Sequence, residues 1–109
     1  MKILSIIPAR GGSKGIRLKN LVRLDGKPLL HYTIRASLES KLVNRTVVST
    51  DNKKIAEQAK KLGAEVITRP KQLATDESLL EPVIQHVLDF LKVKKKYRPD
   101  IIVLLQNTS

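Results

Sequence analysis

Apolar positions along the chain fall into two patterns that take turns. Ile3 to Ile7 is a short apolar run closed by Pro8, Arg45 to Thr50 contains Val47-Val48 before a polar stop, Glu65 to Thr68 is short, and Ile101 to Leu105 is solidly apolar. Runs without in–out alternation predict strands covered on both faces, as in a parallel sheet. Between them apolar residues recur at helical spacing. Leu29, Leu30, Thr33, Ile34, Ser37 and Leu38 form one stripe, with Pro28 placed at the first helical position. Ile55, Ala56, Ala59 and Leu62 form a second, capped by Asp51 or Asn52 and ended by Gly63. Leu79, Leu80, Val83, Ile84, Val87, Leu88 and Leu91 form the third and strongest. Its start carries two signals, a capping box from Ser78 to Glu81 and a Pro82 that favours the first turn.

The order β-α-β-α-β-α-β predicts right-handed crossovers and a Rossmann-like three-layer α/β/α sandwich with a mostly parallel sheet. No internal repeat, low-complexity tract or linker interrupts it. Only Gln106-Asn107-Thr108-Ser109 follow the fourth strand. Doubly wound folds bind ligands at that edge, so the expectation is the N-terminal part of something larger.

Composition narrows the class. A chain of 109 residues, 41% hydrophobic and 28% charged, suits one small globular domain and not a disordered or collagen-like chain. The longest apolar run is five residues, against the ~20 of a spanning helix. The opening run is too short for a signal-peptide core and lacks a small-residue cleavage pattern, so a cytoplasmic location and no membrane partner are expected. With no cysteine, a disulfide scaffold, a thiolate zinc site and a Cys nucleophile are excluded. The net charge of +11 points to an anionic partner. Lys2, Arg10, Lys14, Arg17, Lys19 and Arg23 lie in residues 1–24 without one acid. A second cluster, Lys92, Lys94, Lys95, Lys96 and Arg98, is assigned to a solvated helix end, where cations suit the helix dipole.

Residues 8–20, Pro-Ala-Arg-Gly-Gly-Ser-Lys-Gly-Ile-Arg-Leu-Lys-Asn, occupy thirteen positions where a strand-to-helix connection usually takes about two to six. Gly11, Gly12 and Gly15 let backbone amides approach a ligand, Ser13 adds a hydroxyl, and Arg10, Lys14 and Lys19 supply cations. That is the composition of a polyphosphate cradle. The spacing fits neither the P-loop nor the dinucleotide fingerprint. The same residues also suit a flexible basic surface loop. His31 and His86 are assigned packed or solvent-facing roles, Asp51 a cap, Asp76 a turn, and Tyr32, Phe90 and Tyr97 packing.

Ile7-Pro8-Ala9-Arg10-Gly11-Gly12-Ser13-Lys14-Gly15, ending in Lys19-Asn20, resembles the signature of the acylneuraminate cytidylyltransferases, or CMP-sialic acid synthetases. The resemblance continues through Asp25-Gly26-Lys27-Pro28-Leu29, Val48-Ser49-Thr50-Asp51, Arg69-Pro70, Leu73-Ala74-Thr75-Asp76 and Leu104-Leu105-Gln106-Asn107-Thr108-Ser109. Asn107 stands where the family pattern has Pro, and Leu80 near where it has a small polar residue. The related CMP-KDO synthetases share the Pro-Ala-Arg opening but lack Ser-Lys-Gly followed by Lys-Asn.

This resemblance implies transfer of CMP from CTP to the anomeric hydroxyl of a nonulosonic acid, a nine-carbon 2-keto sugar acid, with release of pyrophosphate. It implies that Arg10, Lys14 and Lys19 act catalytically on the triphosphate. Ala9, Gly11, Ser13, Asn20, Arg69, Ser78 and Gln106 join Arg10 and Lys14 in binding CTP. Residues 1–109 would be the CTP-binding part of a cytidylyltransferase domain. The family's Mg2+-binding aspartates, most of the sugar site and the element that makes a homodimer are expected beyond residue 109, so no metal ligand is assigned here. Legionaminic, pseudaminic or KDO acceptors remain alternatives. So do a nucleotide-binding domain without chemistry and a nucleic-acid-binding module, the latter disfavoured by having three aromatics and no recognisable motif.

Overall fold

The structure, a computed structural model, describes residues 1–9, 23–24, 27–70 and 80–105. Its elements run β1 (Ile3–Pro8), β2 (Arg23–Leu24), β3 (Lys27–Pro28), α1 (Leu29–Glu39), β4 (Arg45–Thr50), α2 (Lys53–Leu62), β5 (Glu65–Thr68), α3 (Leu80–Lys95) and β6 (Ile101–Leu104). The main sheet has the order β5-β4-β1-β6, and all three pairings are parallel. The four strands and three helices expected from the sequence are present. A short antiparallel ribbon, β2 with β3, is an addition.

The register sorts side chains onto two faces. Leu4 and Ile6 of β1, Val47 of β4 and Ile67 of β5 pack beneath Val87 and Leu91 of α3. On the opposite face Ile7, Ala9 and Val48 meet Leu30 and Ile34 of α1 and Ile55 and Ala59 of α2. The helices thus form outer layers around the sheet. Each of the Val, Leu and Ile side chains among them, fully buried, contributes roughly 1.5–3 kcal/mol relative to exposure. β1 is covered on both faces, which explains its unalternating sequence. β6 corrects the expectation drawn from its equally solid run. Ile101 and Ile102 are 43% and 40% exposed, because β6 is the sheet's edge strand and its first residues lie outside the shelter of the helices.

Element ends follow local chemistry. Asn52, not Asp51, caps α2, its side chain accepting from the Ile55 amide at 3.1 Å. The correction has a simple basis: the capping side chain must reach the third residue on, and Asn52 holds that place. Gly63 adopts φ 101°. From there its amide reaches the Lys60 carbonyl at 3.1 Å and the Ala64 amide reaches Ala59 at 3.0 Å, the paired bonds of a Schellman ending. Lys96 ends α3 by the same left-handed step at φ 51°, and the Tyr97 amide then bonds Leu91 at 3.0 Å. Pro82 lies in the first turn of α3, one of its two start signals. Pro28 closes β3, one residue before α1 begins.

Two polar fastenings tie elements together, one between layers and one within the sheet. Ser37 of α1 and Thr46 of β4 share a buried hydroxyl–hydroxyl bond of 2.6 Å. At the amino edge, the Lys2 amide donates to the Asp100 carboxylate and the Asp100 amide to the Lys2 carbonyl, both at 2.7 Å. Among the described residues no helix is long and apolar enough to cross a membrane.

Candidate functional site

Three strands deliver their carboxyl ends to one place. The chain steps from β1 to β4 to β5 in one direction and then returns to set β6 on the other side of β1. Strand order therefore reverses between β1 and β6, the switch point where open parallel sheets bind ligands. The glycine- and cation-rich segment leaves the sheet from β1 at this edge. Leu105 extends the β6 pairing there, its amide donating to the Ile6 carbonyl at 3.0 Å.

Ser49, near the end of β4, joins the neighbouring strands. Its carbonyl accepts from the Ala9 amide at 2.9 Å, just past β1. The same carbonyl accepts from Nη2 of Arg69 at 3.1 Å, and its hydroxyl from Nε of Arg69 at 3.3 Å. The Arg69 amide donates to Thr50 at 2.8 Å, continuing the β4–β5 ladder one step past β5. Arg69 is only 5% exposed. A guanidinium keeps its charge at any ordinary pH, and removing it from water is costly without bonds to its N–H groups. The fold therefore supplies a positive, hydrogen-bonded group at the ligand edge of the sheet.

Residues 4–108 match the model of the cytidylyltransferases. The chain belongs to that family. It is 42% identical over 108 residues to an N-acylneuraminate cytidylyltransferase of Escherichia coli O18:K1:H7, over 99% of this chain and 25% of that protein. It is 44% identical over 111 residues to a CMP-N,N'-diacetyllegionaminic acid synthase of Legionella pneumophila, over the whole chain and 47% of that protein. A CMP:2-keto-3-deoxy-manno-octonic acid synthetase complexed with CTP has the same fold, with a TM-score of 0.76 at 24% identity over 98% of this chain and 40% of that one. The chain thus spans between a quarter and about half of the length of these relatives. The family resemblance seen in the sequence is borne out, as is the Rossmann-like α/β architecture.

Within this cytidylyltransferase framework the structure brings together two of the residues singled out from sequence. Ala9 and Arg69 meet through Ser49. Arg10, Gly11, Ser13, Lys14, Lys19, Asn20, Ser78 and Gln106 lie outside the described residues. Ser49 itself was passed over as a site residue, although the Val48-Ser49-Thr50-Asp51 stretch was part of the resemblance. A serine placed between the apolar Val47-Val48 pair and the polar stop at Asp51, at the carboxyl end of an expected strand, is the signal that could find it.

An open cleft of about 420 Å³ lies at the opposite, amino edge, beside Arg45, Glu65 and Tyr97. There Arg45 pairs with Glu65 and lies 4.6 Å from the Tyr97 ring centre, with Nζ of Lys2 at 5.5 Å. Tyr97 packs as expected and also carries two cations on its ring. Neither Ala9 nor Arg69, the nucleotide-binding candidates among the described residues, lines this cleft. Among the described residues no group of three or more His, Cys, Asp or Glu side chains could hold a metal ion.

Proposed function

We propose that the chain forms the CTP-binding part of a nucleotidyltransferase that passes CMP to a sialic-acid-like 2-keto sugar acid. The observation that carries this reading is the meeting of the β1, β4 and β5 carboxyl ends at Ser49. It sets a buried guanidinium beside the strand from which the glycine- and cation-rich segment departs, in a chain of cytidylyltransferase lineage.

The anomeric hydroxyl oxygen of the acceptor attacks the α-phosphorus of CTP. A new P–O bond forms, the bond from that phosphorus to the bridging oxygen breaks, and pyrophosphate leaves with the bonding electrons. Negative charge grows on the non-bridging oxygens and on the leaving group. Fixed cations and amide donors there lower the barrier because they need no reorganisation as the charge develops. Arg10, Lys14 and Lys19 fill the cationic role, with Gly11 and Ser13 as amide and hydroxyl donors. Ala9, Asn20, Arg69, Ser78 and Gln106 hold the nucleotide. Among the described residues no group of three or more His, Cys, Asp or Glu side chains could hold magnesium.

The test is binding followed by turnover. CTP at a hundred times its dissociation constant should stabilise the native chain by about 2.7 kcal/mol, visible as a rise in melting temperature. Amide signals of residues 9–20 should move with it. Absence of both at millimolar CTP overturns the nucleotide assignment. Pyrophosphate release by a full-length protein, with N-acetylneuraminic, legionaminic, pseudaminic and KDO acceptors in parallel, then names the acceptor.

A further inference from the structure

We infer that Ser49 is a positioning residue, which fixes the plane of the Arg69 guanidinium for the nucleotide. The inference rests on the CTP-binding role proposed for Arg69. Ser49 is fully buried and presents two acceptors to one edge of the guanidinium. Its hydroxyl takes Nε at 3.3 Å and its carbonyl takes Nη2 at 3.1 Å. Nε and Nη2 form one side of a rigid planar fork, so two bonds to a single residue set both the position and the tilt of the plane. Nη1 and the other Nη2 hydrogen are thereby turned away from Ser49.

The two bonds differ in what secures them. The carbonyl belongs to the main chain and is held by the β4 ladder and by the Ala9 amide at 2.9 Å. Only the hydroxyl depends on the side chain. Ser49→Ala therefore removes the Nε acceptor and leaves the carbonyl, so that this edge of the guanidinium keeps one of the two bonds that Ser49 gives it. A charge that must lie within a few tenths of an ångström of its ligand loses effect when its plane is free to turn.

Two measurements on the 109-residue protein decide the matter. The first is the Arg69 Nε–H resonance without nucleotide. Ser49→Ala should speed its exchange with water at least tenfold, and Ser49→Thr, which keeps the hydroxyl, should restore slow exchange. Unchanged exchange in Ser49→Ala overturns the inference. The second is CTP affinity for the wild type, Ser49→Ala, Arg69→Ala and the double variant. Ser49→Ala should weaken binding about tenfold when Arg69 is present, and have no further effect when it is absent. An equal loss in both backgrounds would show that Ser49 supports the fold and not Arg69. If the wild type does not bind CTP, the nucleotide role fails by itself, and the Nε–H exchange still decides whether Ser49 orients Arg69. Should Ser49→Ala not fold, Ser49→Cys against Ser49→Thr makes the same comparison with a weaker acceptor in place of the hydroxyl.

Discussion

Lys96 ends α3 at φ 51°, a left-handed conformation that side chains with a Cβ adopt at a cost. For an ordinary L-residue that cost is roughly 1–2 kcal/mol, from the approach of Cβ to the carbonyl oxygen. Glycine escapes it but loses about 0.5–1 kcal/mol more conformational freedom on folding. Lys96 is exposed, so its side chain has little packing to lose. Lys96→Gly should therefore stabilise the protein by about 0.5–1 kcal/mol, or about 2–6 °C in melting temperature for a domain of this size. Urea titration should show a higher midpoint at an unchanged slope. Lys96→Ala is the control. It keeps Cβ and removes a cation from a helix carboxyl end, so it should be neutral or slightly destabilising. If Lys96→Ala stabilises as much as Lys96→Gly, backbone strain is not the cause, and crowding with Lys94 and Lys95 takes its place. The reciprocal change makes the same point from α2. A Cβ on Gly63 would meet Leu38 Cδ1 at an unstrained 3.6 Å, so the loss of about 1 kcal/mol expected for Gly63→Ala comes from φ alone.

Ile6→Ala, at a fully buried position under α3, should cost about 2–5 kcal/mol in a denaturant titration. Ser37→Ala should cost about 1–2 kcal/mol by stranding the Thr46 hydroxyl, whereas adding Thr46→Val should recover much of the loss. Glu65→Gln should cost less than about 1 kcal/mol, and less in high salt, because that ion pair is partly open to water. Arg10→Ala should weaken CTP binding at least tenfold with little change in melting temperature; wild-type affinity would remove Arg10 from the site.

Periodicity was enough for the strands and helices because each stripe is long and its breaks are chemically distinct, as at Gly63 and Pro8. The β2–β3 ribbon offers no such period, because each strand has two residues, and the one sequence signal for it is the Asp25-Gly26 hairpin dipeptide between them. The exposure of β6 escaped for another reason. A solid run such as Ile101 to Leu105 tells how apolar a strand is but not whether a neighbour arrives to cover it. Asp51 and Asn52 are both competent caps, and only backbone geometry separated them. Arg69 was legible through the resemblance alone, since an isolated Arg-Pro carries no local pattern. The role of Ser49 depends on two strands meeting across about 20 residues of sequence, which no window of ordinary length spans.

The place of β1 in the sheet has a consequence for the order of assembly during synthesis. Its first partner, β4, lies some 41 residues downstream, and the Lys2–Asp100 tie beside its second partner, β6, spans 98. At ordinary translation rates of about 5–20 residues per second, the free side of β1 waits about 5–20 s for β6 to be made. During that interval β1, buried along its four central residues in the folded sheet, presents an open backbone edge, while α2 and the β4–β5 pair can already close over their short separations. Of the four strands of this sheet β1 is made first and waits longest for its second partner, so its open edge is where the growing chain needs protection until β6 arrives.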